Sequence, residues 1–137
     1  MIVQDFTGAP GTTTITRVDG EDLADDTFVA APPAAVARSI ADPARWCLWW
    51  PDLSLTVTRN RGSQGLQWTV SGGLSGTAEV WLEPFGDGTV VHFYLRAGLD
   101  DRGRTARALA WKRSVHALKD ELEQGRAPGL PARRSRW

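Results

Sequence analysis

Between Leu53 and Leu95 the chain alternates apolar and polar residues through four consecutive segments, at residues 53–59, 66–71, 77–84 and 89–95. No other feature restricts its fold as much. Successive side chains of a strand point to opposite faces. One face therefore carries Leu53, Leu55 and Val57, then Leu66, Trp68 and Val70, then Ala78, Val80 and Leu82, then Val91, Phe93 and Leu95. The opposite face carries Ser54, Thr56 and Thr58, then Gln67 and Thr69, then Glu79, Trp81 and Glu83, then His92, Tyr94 and Arg96. The sorting works in all four segments, so one sheet face is dry and the other mostly wet. Glycine-rich turns at residues 61–65, 72–76 and 86–88 separate the segments. Connections this short join only antiparallel neighbours.

A dry sheet face needs an apolar partner. Residues 105–124 supply one, because Ala108, Trp111, Val115, Leu118 and Leu122 recur at helical spacing, with Gly125 as a C-terminal cap. Upstream, Pro32-Pro33 opens a short helix with Val36 and Ile40 on one edge. Asp42-Pro43 caps and opens a second, which carries Trp46, Cys47, Trp49 and Trp50 before Pro51 stops it. Residues 23–30 read as a strand, paired through a turn at 19–22 with a further one at 12–18. The expected architecture is α+β: a curved antiparallel sheet around a long C-terminal helix, with two short helices near the N-terminus. Residues 1–11 read as an irregular leader, 12–125 as one domain and 126–137 as a basic, disordered tail.

Val29-Ala30-Ala31-Pro32 runs into Val36, Ile40, Asp42, Trp46, Trp49, Trp50 and Pro51. Glu79-Val80-Trp81-Leu82-Glu83-Pro84 and Ala117-Leu118-Lys119-Asp120-Glu121-Leu122-Glu123 complete a pattern that spans roughly residues 23–126. This order of elements and residues resembles the START-like (SRPBCC) superfamily, in particular small actinobacterial polyketide cyclase/dehydrase-like proteins. The resemblance implies a helix-grip fold. It also implies a cavity between sheet and C-terminal helix for a hydrophobic or aromatic small molecule, polyketide-like or lipid. The superfamily hosts many activities, so binding and cyclase-type catalysis both follow from it. Its sheets carry more strands than the four clear ones and one or two others read here, which predicts a smaller pocket.

Composition excludes several classes. The formal net charge is zero, so nothing global points to nucleic acid. Charge is nonetheless uneven: six acidic residues stand against Arg17 up to Asp26, and ten basic against three acidic residues from Arg102 onward. Cys47 is the only cysteine, which rules out an intramolecular disulfide. Cys47, His92 and His116 fall on three different elements without ligand spacing, so no metal is expected, and no motif calls for a cofactor. The N-terminus lacks a basic and an apolar region of signal type, and no apolar run approaches the roughly 20 residues of a membrane span. A cytoplasmic protein is expected.

Five of the seven tryptophans, Trp46, Trp49, Trp50, Trp68 and Trp111, lie on elements that converge on one space. A dry void of roughly 300 Å³ there would cost about 7 kcal/mol at roughly 24 cal/mol per Å³. That rivals the net stability of a domain, about 5–15 kcal/mol. The space must be wet, occupied by ligand, or filled by side chains. In a binding protein Trp68, Phe93 and Trp111 would wall it, Trp46 and Trp50 would form its rim, and Arg104 would hold an anionic group. In an enzyme Tyr94 and His92 would assist proton transfer, provided the strand turns them inward. In a non-catalytic partner protein the indoles would fill the core and the Trp81/Tyr94 face would form a homodimer.

Overall fold

The computed structural model describes residues 22–123. In chain order its elements are β1 (Leu23–Val29), α1 (Pro33–Ile40), α2 (Pro43–Trp49), β2 (Leu53–Asn60), a 3-10 turn (Gly62–Gln64), β3 (Gly65–Gly72), β4 (Gly76–Phe85), β5 (Gly88–Arg96) and α3 (Asp101–Glu123). The strands form one five-stranded sheet ordered β1-β5-β4-β3-β2, antiparallel throughout. The meander of β2 to β5 crosses the sheet, and β1 returns to pair with its last strand. The expected leader, the strand at 12–18, the cap at Gly125 and the basic tail lie outside the described residues.

The two faces separate as alternation requires. Leu66, Trp68, Val70, Ala78, Val80, Leu82, Val91, Phe93 and Leu95 are all buried on the inner face. At the β2 edge the cover thins: Leu53 and Leu55 are half-buried, and Val57 is 39% exposed. Trp111, Val115 and Leu118 of α3 are fully buried against this face.

α3 begins at Asp101, four residues before its expected start at 105. Asp100 explains the difference, since its side chain accepts the Gly103 N–H at 2.7 Å. What reads as a break at residues 100–103 is an N-cap whose gain outweighs the poor helix propensity of Gly103. At the other end Glu123, buried, accepts the Ala30 N–H at 2.9 Å and the Lys119 ammonium at 2.6 Å. That carboxylate ties the last turn of α3 to the chain leaving β1.

The short helices form as their prolines and caps predict. Val36 and Ile40 are fully buried, and Asp42 accepts the Ala44 N–H at 3.0 Å. The Trp46 indole N–H donates to the Ile40 carbonyl at 2.6 Å, bracing the corner between α1 and α2. Arg45 then pairs with Glu121 at 3.0 Å, fastening α2 to α3.

β1 departs from the dry pattern. Asp25 and Thr27 are in register with the inward-facing Phe93 and Val91, so they share the inner face. Asp25 Oδ2 accepts the Trp111 indole N–H at 2.8 Å and the Thr27 hydroxyl at 2.9 Å, while Oδ1 lies 2.8 Å from the Lys112 ammonium. A carboxylate with three such partners is a strut between β1 and α3.

Candidate functional site

Aromatic rings occupy the space between sheet and helix. Phe93 and Trp111 stack at 4.1 Å, and Trp50 lies nearly parallel to both at 6.0 and 6.3 Å. Trp49 meets Trp111 edge-on at 5.9 Å, and Trp68 meets Trp46 edge-on at 5.5 Å. What remains, between Trp50, Leu53, Leu55, Val70, Phe93 and Leu95, is about 10 Å³. That is roughly the room one water molecule needs. Around Trp50 and Phe93 the described residues thus fill the space with side chains, whereas beside Trp111 a further space of about 160 Å³ opens between Leu23, Ala24 and Asp25 of β1 and Ala108 and Lys112 of α3. Trp68 and Trp111, expected as walls of an open cavity, are fully buried packing groups. Trp50, expected at the rim, is only 4% exposed and forms part of the inner lining.

A larger opening lies outside this filled interior. Asp52, Gly73 and Leu74 on the sheet side face Gly103, Ala106, Arg107 and Ala110 of α3 across an open cleft of about 430 Å³. The helix residues lie at i, i+3, i+4 and i+7, one face of α3, and three of the four are glycine or alanine. Small side chains on the helix keep the cleft from closing. Arg107 lines both the cleft and the apolar interior behind it.

Arg107 bridges the opening to Asp52, Nη2 to Oδ2 at 2.6 Å and Nη1 to Oδ1 at 3.2 Å. Gly73 makes room for this geometry. Its N–H donates to the Asp52 carbonyl at 2.9 Å, and a Cβ there would come within 2.1 Å of Asp52 Oδ2. The hydrogen bond from Arg107 lowers the Asp52 pKa below its usual 3.8; burial opposes this and the guanidinium charge adds to it. The arginine side chain is 20% exposed and the aspartate 52%. A pair this exposed contributes on the order of 0–1 kcal/mol, so parting it is cheap.

Arg104 is placed differently from expectation. Although α3 starts early enough to direct it towards the opening, it forms an ion pair with Asp101 in the first turn. The arginine at the cleft is Arg107, three residues further on.

Tyr94 and His92 are turned outward, because Val91, Phe93 and Leu95 take the inner positions of β5. The condition for proton transfer by these two residues at the interior, that the strand turn them inward, is not met. His92 instead links three strands: Nδ1 lies 2.6 Å from Asp26 on β1, and Nε2 lies 2.9 Å from Glu83 on β4. Burial disfavours its charge, but the bonds to Glu83 and Asp26, with their charges, outweigh that and raise the pKa above 6.5. Trp81 stacks on His92 at 4.6 Å, so its cross-strand partner is His92 rather than Tyr94. Among the described residues no group of three or more His, Cys, Asp and Glu could hold a metal ion, and no helix is long and apolar enough to cross a membrane.

No family model matches the sequence, and no curated protein matches it. Solved structures do match. The Aha1 dimer from Colwellia psychrerythraea is similar with a TM-score of 0.61 at 18% identity, over 76% of this chain and 97% of that one. CalU16 from Micromonospora echinospora is similar at 0.60 and 18%, over 70% of this chain and 72% of that one. DynU16, described as a putative protein in the dynemicin biosynthetic locus, is similar at 0.63 and 18%, over 85% of this chain and 50% of that one. At these identities the likeness is one of fold. An antiparallel sheet with two short helices after its first strand, gripping one long C-terminal helix, is a helix-grip fold, and this chain has it.

Proposed function

We propose that this protein binds a small hydrophobic or aromatic molecule, polyketide-like or lipid, at the mouth of the grip rather than deep within it. The observation that carries the reading is one residue shared by two spaces: Arg107 lines both the open cleft of about 430 Å³ and the apolar interior. A ligand body would rest on Leu74 and Leu99, which line the cleft together with the alanines of α3. Binding sites of this kind pair an apolar surface with a few convergent polar groups. DynU16, from a biosynthetic locus, shares the fold, and a small-molecule ligand is in keeping with that. Cyclase-type catalysis has less support, because the titratable groups at the mouth are an arginine and a carboxylate held by it.

The test is an NMR titration with 2-naphthylmethanol, following backbone amides and the Trp50 indole N–H. Shifts confined to the mouth are expected, at Gly73, Leu74, Leu99 and Ala106. Ala106→Trp, at an exposed helix position lining the cleft, should weaken binding about tenfold or more by occupying the site. Shifts clustered on the outer face around Trp81, or none up to the solubility of the probe, would overturn the reading.

A further inference from the structure

We propose that Arg107 sets the specificity of the mouth, and that the ligand it selects is an amphipathic monoanion, a carboxylate on an apolar body, which replaces Asp52 on the guanidinium. This rests on the mouth being the binding site.

Three observations lead there. First, Asp52 and Arg107 are the ionisable residues among those described that line the cleft and the apolar interior, so charge recognition at this site falls to them. Second, the guanidinium already presents its two terminal nitrogens to a carboxylate, at 2.6 and 3.2 Å, in the fork geometry that a ligand carboxylate would meet. Asp52 thus stands where the ligand's head would stand, with the apolar lining directly behind it.

Third, the two partners are unequally free to leave. Asp52 is 52% exposed on a short side chain at a turn, whereas Arg107 is 20% exposed and anchored in the middle of the first turns of α3. Rotating the aspartate into water costs little, and an incoming carboxylate keeps the guanidinium neutralised throughout. A cation would have to expel the less accessible partner instead. A neutral ligand would leave the pair intact and gain nothing from it.

The balance of exposure therefore makes the site selective for anions, even though the cleft contains one charge of each sign.

The test compares three probes of matched shape, 2-naphthoate, 2-naphthylmethanol and 2-naphthylmethylammonium, against wild type, Arg107→Gln and Asp52→Asn, by calorimetry and NMR. Wild type should bind the carboxylate about tenfold or more tighter than the alcohol, and the ammonium no tighter than the alcohol. Arg107→Gln should abolish the preference, so that carboxylate and alcohol bind this variant with affinities within about twofold of each other. Asp52→Asn should tighten carboxylate binding several-fold by removing the competitor. Equal binding of alcohol and carboxylate at the mouth would overturn the specificity and leave the binding reading standing. So would a carboxylate preference that survives Arg107→Gln, or tighter binding of the ammonium. If none of the three probes perturbs the mouth, the binding reading itself fails, and the specificity with it.

Discussion

Phe93 on β5 and Trp111 on α3 lie face to face, with ring centroids 4.1 Å apart and planes 12° from parallel. The indole N–H of Trp111 leaves that stack to reach Asp25 at 2.8 Å, while the indole N–H of Trp68, equally buried, has no hydrogen-bond partner. Trp→Phe at the two sites removes the same atoms from similar surroundings. Trp111→Phe should therefore cost more than Trp68→Phe, by about 1.5–3 kcal/mol, the value of a hydrogen bond to a charged acceptor. Urea unfolding of both variants measures the difference. Equal losses would mean that the Asp25 contact contributes nothing.

The outer face carries a pH-dependent link. Because the His92 pKa is raised in the fold, its bridge between Asp26 and Glu83 stabilises fully below about pH 6.5 and is lost as pH rises through the folded value. Stability should fall from slightly acid towards mildly alkaline pH. His92→Gln should remove that slope, whereas His116→Gln, at an exposed position on α3, should leave it. Denaturation series across pH on the three proteins decide the matter.

Gly73 controls the pair at the mouth from outside it. Gly73→Ala should push the Asp52 carboxylate off Arg107, since the new methyl would lie 2.1 Å from Oδ2. The Asp52 pKa, lowered in the fold, should then return towards 3.8. In wild type the pair adds stability above about that pH and loses it as pH falls through the lower folded value. The variant should lack this acid dependence. Carboxyl NMR titration reads it directly, with an accompanying stability change of about 1 kcal/mol or less.

At the far end of α3, Glu123→Ala should cost about 1–3 kcal/mol, because it removes the carboxylate that accepts the buried Ala30 N–H and leaves the Lys119 ammonium only the Phe28 carbonyl. Glu123→Gln, which keeps one acceptor oxygen, should recover part of that loss. Amide exchange at Ala30 separates a local opening from global unfolding.

The faces of β2 to β5 and the stripe of α3 were readable because period 2 and period 3.6 are properties of a single segment. The caps at Asp42 and the prolines of α1 and α2 were readable for the same reason. The inward turn of Asp25 was not, since it reverses the usual chemistry of an inner position and makes sense only once Trp111 arrives from 86 residues away. The choice between Arg104 and Arg107 was equally hidden. It depended on where α3 starts, which Asp100 decides, and on which acidic residue captures each arginine. Asp100 three residues before Gly103 was a signal in plain view, but the glycine made it look like a loop. The outward facing of Trp81 was readable but its stack on His92 was not, because faces follow from alternation whereas cross-strand partners require the register.

The tryptophan-filled interior bears on how fast a ligand comes and goes. A compound enclosed in a deep cavity must wait for a helix or loop to swing aside, and its exchange is then limited by that motion. A ligand at this mouth would rest in a cleft already open to solvent, and the contact to be rearranged would be the half-exposed Asp52–Arg107 ion pair. Capture and release would then proceed without a gate. Residence times would be set by the strength of the surface contacts themselves.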